Sequence, residues 1–176
     1  MAEQSKVKLG AKASSAVAIA AMVAIAAPFI GMWEGKRNNP YLDSVGVKTV
    51  CYGETRVPMR HYTDAQCTAL LEKALEEFGP GVAKLSPGIE DSPYQWAAHT
   101  SFAYNIGIGA YSRSSVRTLF NKGDYVAACR FMKRYKYAGG RVLLGLQYRR
   151  EGKGERIGES ELCLVGAIPA QMSGGA

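Results

Sequence analysis

From Ala13 to Trp33 the chain reads ASSAVAIAAMVAIAAPFIGMW without one charged side chain, and Glu34 follows with no spacer. About 20 apolar residues suffice to cross a bilayer, so this run either enters lipid or needs a core to cover it. Lys6, Lys8 and Lys12 precede it and favour a cytoplasmic N-terminus, while Lys36 and Arg37 just beyond it weaken that bias. The rest of the chain would then lie outside the inner membrane. Three fates are open: cleavage near the small-residue stretch 24–26, permanent anchorage, or an anchor able to leave the bilayer. Composition favours the third. Alanine, serine and glycine are frequent and Pro28 interrupts the run, so insertion gains far less than it would for a leucine-rich helix. Residues 28–33 (PFIGMW) also have the make-up of a core-facing helix that carries Glu34, and cleavage after Ala26 would leave little to build it. The chain thus divides into an N-terminal anchor, 1–33, and a folded unit, 34–176.

With 176 residues, 47% of them hydrophobic and 21% charged, the chain suits one domain with a sizeable core. Its net charge of +7 points to a polyanionic partner or surface: nucleic acid, anionic lipid or the bacterial cell wall. No run of like charges and no aromatic-and-basic repeat marks a nucleic-acid site, so nucleic acid is not expected. The cysteines are Cys51, Cys67, Cys129 and Cys163, without a C-x-x-C, and the histidines are His61 and His99. Neither a metal site nor a cofactor is expected from that set. Four cysteines beside an export-like N-terminus read as two disulfides in an oxidising compartment; four buried thiols are the alternative.

Residues 38–55 read as turns and short strands. Asn38-Asn39-Pro40 suggests a turn, 43–46 a reversal, and 47–52 a β-branched and aromatic strand ended by Gly53. Thr63 to Gln66 is a capping box opening a helix to about Phe78, with Gly79-Pro80-Gly81 as its stop. Ser92 to Gln95 is a second box, opening an apolar helix over 96–104 that ends in the glycine-bearing loop 105–109. Helices are expected at 114–120, 124–135 and 142–151, a flexible loop at 137–140, glycine breaks at 152, 154 and 158, and a last helix around Leu162 to Leu164 with a frayed tail from Ala167. The expectation is an α+β chain, mostly helical, with one small antiparallel hairpin.

Chemistry concentrates at 34–55. Glycosidic bonds are commonly cleaved between two carboxyl groups, one giving a proton to the leaving oxygen and the other stabilising charge, activating water or attacking the sugar. Glu34 follows Trp33 and an apolar helix, the setting of a proton donor. Asp43 lies in a polar turn among backbone donors, the setting of its ionised partner, and Thr49 is placed to orient a water. Spacing alone equally fits two surface acids in a loop.

The wider pattern is more specific. Residues 33–55, WEGKRNNPYLDSVGVKTVCYGET, resemble the E-x8-D-x5-T signature of the phage lysozymes, the muramidase endolysins of glycoside hydrolase family 24. The resemblance continues in QWAAHTSFAYNIGIGAYSRSSV (95–116), in 123–151 and in ELCLVG (161–166). It implies a two-lobed lysozyme-like fold, with the hairpin in the N-terminal lobe and a helical C-terminal lobe. It also implies hydrolysis of the β-1,4 bond between N-acetylmuramic acid and N-acetylglucosamine of peptidoglycan, causing host lysis. By it, Glu34 is the general acid, Asp43 the partner carboxylate and Thr49 the water-positioning residue. The stretches 102–109 and 137–140 would flank the cleft, with core packing the simpler role for Phe102 and Tyr104. Lytic transglycosylases cut the same bond with a single glutamate, so Asp43 and Thr49 favour hydrolysis. A non-enzymatic peptidoglycan binder on the same scaffold is the other reading, disfavoured by all three residues being present.

Two departures stand out. Cys51 occupies a position where the family often has glycine, and 152–158 resembles an insertion after the arginine-rich helix, leaving Glu151 or Glu155 to take the structural place of the family's glutamate. The N-terminal run is similar to the signal-arrest-release segment of some of these endolysins, which implies export by the host secretion machinery, an inactive form on the periplasmic side of the inner membrane, and a soluble periplasmic form after release. It lacks the cysteine that some relatives use as a switch, so activation by refolding of this segment is expected. For the disulfides, pairing Cys51 with Cys67 and Cys129 with Cys163 would tie the hairpin to the next helix and join two C-terminal helices; four cysteines admit three connectivities. A monomer is the default.

Overall fold

A computed structural model describes the backbone of residues 11–43 and 46–173, and the side chains of 16–43 and 46–167. The chain is α+β and mostly helical. Helix α1 spans Ala11–Trp33, strands β1 (Arg37–Leu42) and β2 (Lys48–Cys51) form an antiparallel hairpin, and α2 spans Asp64–Leu85. Helices α3 (Pro93–Ile106), α4 (Ile108–Ser112), α5 (Ser115–Asn121) and α6 (Tyr125–Phe131) lead to a second hairpin, β3 (Tyr137–Ala138) and β4 (Arg141–Val142). Helices α7 (Leu144–Glu151) and α8 (Glu159–Ser173) close the chain.

The apolar run lies in a core. Met22, Val23, Ala26, Ala27, Phe29 and Ile30 are buried in one cluster with Leu71, Leu75, Trp96 and Phe102 of α2 and α3. Ala16, Ala20, Ala24, Pro28 and Met32, one every fourth residue, form the outward face. Pro28 is tolerated there because the carbonyl its missing N–H leaves unbonded, four residues back, lies on the solvent side. A smaller core of Val50, Cys51, Tyr62 and Cys67 sits beneath the hairpin.

Local signals set most helix starts. The Thr63 box forms as read, the Thr63 hydroxyl accepting from the Gln66 N–H while the Gln66 side chain accepts from the Thr63 N–H. Ser92 caps α3, but the Gln95 amide donates instead to the Gly166 carbonyl of α8 at 3.0 Å, so the second box is half made.

Elsewhere tertiary contacts overrule local ones. The stop expected at Gly79-Pro80-Gly81 is absent, and α2 continues to Leu85. The Trp96 indole donates to the Gly79 carbonyl at 2.9 Å, and a Cβ at Gly79 would collide with the Met22 methyl. Gly79 thus lies where α1, α2 and α3 approach one another. The turn expected at Asn38-Asn39-Pro40 is part of β1, because the Asn38 side chain and carbonyl are engaged by Tyr62 and Asp64. Pro40 sits where the register shifts between Arg37 and Tyr41, the kind of irregularity that accommodates proline. The loop expected at 137–140 is instead strand β3 followed by the turn of the second hairpin, with positive φ at Gly139 and Gly140. The reversal after Asp43 includes residues 44 and 45, which lie outside the described residues; Gly46 beyond them donates to the Asp43 carbonyl.

His99 is enclosed in the main core, bonded through Nδ1 to the Tyr111 hydroxyl at 2.8 Å, with Ser86 completing the chain at 2.7 Å. Burial pushes its pKa down to about 3 from 6.5. The unfolded chain therefore binds a proton below pH 6.5 that the folded chain refuses, and stability present above 6.5 is lost as pH falls towards 3. Urea unfolding is expected to show a loss of up to about 1.4 kcal/mol per pH unit from this group in that window, a contribution absent in His99→Asn.

Candidate active site

Glu34 closes the last turn of α1, its N–H bonded to the Ile30 carbonyl at 2.8 Å. Its setting differs from the purely apolar one suggested by the sequence. The carboxylate is 29% exposed and meets Nη1 of Arg149 at 2.5 Å. Arg149 is itself buried, with Nε 2.8 Å from Glu159 Oε1 and Nη2 on the carbonyl and hydroxyl of Ser101. Glu159 turns its other oxygen to Arg150, which reaches Asn105 Oδ1 and the Tyr135 carbonyl and lies over the Phe102 ring. Desolvation lowers the pKa of Arg149, but the charges of Glu159 and Glu34 outweigh it and hold the guanidinium above its ordinary value.

Asp43 and Thr49 meet through one residue. Asp43 Oδ1 accepts from the Val47 N–H at 2.8 Å, and the Asp43 N–H donates to the Val47 carbonyl at 3.0 Å. Thr49 is buried, 3% exposed, and its hydroxyl donates to the same carbonyl at 3.0 Å. Thr49 also pairs with Tyr41 across the hairpin. Cys51 ends β2 with φ of 59°, a left-handed conformation that suits glycine and costs other residues of order 1 kcal/mol. Its disulfide to Cys67 of α2, with Cα atoms 5.1 Å apart, holds it there. Tyr104 joins α3 to the hairpin through its hydroxyl and the Tyr52 carbonyl. Burial first, then the charges of Glu34 and Glu54, push its pKa up to about 12, so it stays a neutral donor. Phe102 is core.

Arg149, Arg150 and Glu159 are the residues that sequence reasoning missed. Neither Glu151 nor Glu155 fills the buried position: Glu151 pairs with Lys136 at the surface, Glu155 is exposed, and Glu159 is fully buried. The segment 152–158 makes this possible. Lys153 and Arg156 close a tight turn, and a Cβ at Gly158 would strike the Arg150 carbonyl, so only glycine lets α8 begin against the end of α7. The same segment grips α1, with the Trp33 indole donating to the Ile157 carbonyl and Arg156 to that of Met32. The second disulfide, Cys129 to Cys163, joins α6 to α8 one turn beyond Glu159. A hollow of about 560 Å³ between the start of α3 and α8 contains none of the acids discussed.

Removing Arg149 strands two carboxylates, one of them buried. Arg149→Met is expected to lose about 3–5 kcal/mol in urea unfolding, whereas Lys136→Met, which breaks the part-exposed pair with Glu151, loses under about 1 kcal/mol.

The phage lysozyme family model matches residues 31–153. The chain is 41% identical over 138 residues to the SAR-endolysin of Bacteriophage PS119, covering 76% of this chain and 77% of that protein. The active form of P1 phage endolysin Lyz superimposes with a TM-score of 0.67 at 28% identity, covering 84% of this chain and 94% of that one. The muramidase domain of SpmX from Asticaccaulis excentricus gives 0.68 at 27%, covering 80% and 95%.

Proposed function

Because this chain belongs to the phage lysozyme family, we propose that it hydrolyses the β-1,4 bond between N-acetylmuramic acid and N-acetylglucosamine as an endolysin that opens the host wall. Peptidoglycan is the substrate that membership implies, and the net charge of +7 suits an anionic wall. Glu34 gives the proton to the leaving oxygen. Asp43 is the partner carboxylate, and Thr49, bonded to the same Val47 carbonyl as the Asp43 N–H, positions the water. The observation carrying this reading is the division of the acids between two supports: Glu34 on a helix end clamped by Arg149, Asp43 on a hairpin turn clamped by its own backbone.

The anchor follows from the same helix. Residues 1–33 serve as a signal-anchor exported by the host secretion machinery and 34–176 as the catalytic unit, with the end of α1 shared between the two. Ala16–Trp33 has a mean hydropathy of 2.1, enough for a span, and its outward face is mostly small. The protein waits at the periplasmic side of the inner membrane with Glu34 held at the lipid surface. On release it becomes a soluble periplasmic monomer whose refolded α1 brings Glu34 to Arg149.

Glu34→Gln is expected to lower the clearing of purified cell walls by at least about 10²-fold; undiminished lysis would refute the assignment. Collapsing the membrane potential is expected to yield full-length, active soluble protein. A chain starting near Ala27 would instead establish cleavage.

A further inference from the structure

A proton donor held by a guanidinium meets a conflict. In general a hydrogen bond from a guanidinium favours the ionised form of a carboxylate, whereas a proton donor must hold its proton. How strongly Arg149 acts depends on what else neutralises it. Among the described residues, the carboxylate that does so is Glu159, at the start of α8.

We propose that Glu159 is a positioning residue for the reaction: by lying between Arg149 and Arg150 it weakens the hold of Arg149 on the Glu34 carboxylate, so that Glu34 takes up the proton it must deliver. This rests on the reading of Glu34 as the acid. With Glu159 ionised, the two arginines and Glu159 carry one net positive charge before Glu34 is counted; without its charge they carry two. The added charge is fully buried with Arg150 and next to Arg149, where water screens it poorly. Arg150 feels the same competition, as desolvation and the neighbouring Arg149 pull its pKa down against the pull of Glu159.

The other charged and titratable groups around Glu34 leave this balance to Glu159. Tyr104 of α3 stays neutral, Lys36 is engaged by Asp64 at 2.6 Å, and Arg156 packs over Trp33 on the exposed side. On the hairpin, Glu54 is paired with Arg56 and Asp43 is bound to the Val47 N–H. Glu72 of α2 lines a separate hollow with Gly31.

The test is the pH profile of wall hydrolysis, with folding of each variant checked by thermal melting. Glu159→Gln is expected to move the alkaline limb down by about one pH unit, lowering kcat above the new limb with KM little changed. Ser101→Ala removes hydrogen bonds to Arg149 and Glu159 but no charge; it is expected to lower the melting temperature and leave the limb in place. A folded Glu159→Gln protein with an unmoved limb overturns the proposal. Should that variant not fold, Arg150→Gln supplies the opposite sign, freeing Glu159 to neutralise Arg149 alone and moving the limb up; a limb that stays or falls overturns the proposal. Glu34→Gln separates the two readings. If it keeps its activity, the acid assignment fails, whereas an inactive Glu34→Gln beside an unmoved Glu159→Gln limb removes the positioning role alone.

Discussion

The guanidinium of Arg149 touches the end of α1, the middle of α3 and the start of α8, three places far apart in the chain. A buried arginine is tolerated only when its donors find acceptors and its charge finds an opposite one. Here both conditions are met by groups on three elements that the main core already packs together. Glu159 reaches the arginine because Gly158 lets two helix ends meet, and Ser101 because α3 is threaded through the centre of the core. The Glu34 carboxylate is therefore held by a residue more than a hundred positions downstream of it.

That dependence bears on the proposed passage from lipid to protein. For the stripe from Met22 to Ile30, leaving acyl chains for a packed core exchanges one apolar environment for another, and burial alone discriminates weakly between them. The polar end of the helix discriminates strongly. The Glu34 pair with Arg149, the Trp33 indole on the Ile157 carbonyl and Arg156 on Met32 all require the folded C-terminal segment. In this view the apolar stripe makes α1 acceptable in both places, and the contacts at residues 32–34 make the protein the better of the two.

Sequence legibility followed the range of the interactions. The Thr63 cap and the strand leading to Cys51 depend on neighbours within a few residues, and they are readable. Gly79-Pro80-Gly81 carries every local mark of a helix end, yet the Trp96 indole takes up the Gly79 carbonyl and the helix continues. Asn38-Asn39-Pro40 looks like a turn until Tyr62 and Asp64 take up the Asn38 polar groups. Glu159 was hidden for the same reason. Consecutive arginines on an amphipathic helix look like a solvated face, and nothing local says that both are buried or that their partner lies beyond a glycine-rich connection. The visible clue was a glutamate at the head of the last apolar helix, three residues before Leu162 and just beyond the glycine-rich connection.

The two disulfides stand behind the two supports of the site. Cys51 lies two residues beyond Thr49 on β2, and Cys163 one helical turn beyond Glu159 on α8. They close loops with sequence separations of 16 and 34 residues, for which chain entropy gives about 3 and nearly 4 kcal/mol. Each gain falls where the site has a strain or a conflict to hold: the left-handed Cys51 on one side, the crowded charges of Arg149, Arg150 and Glu159 on the other. Both bonds need an oxidising compartment. The chemistry that forms them and the release that docks α1 therefore belong to the same side of the membrane in the proposed cycle, and a chain kept in a reducing cytoplasm would lack the clamp on each half of its site.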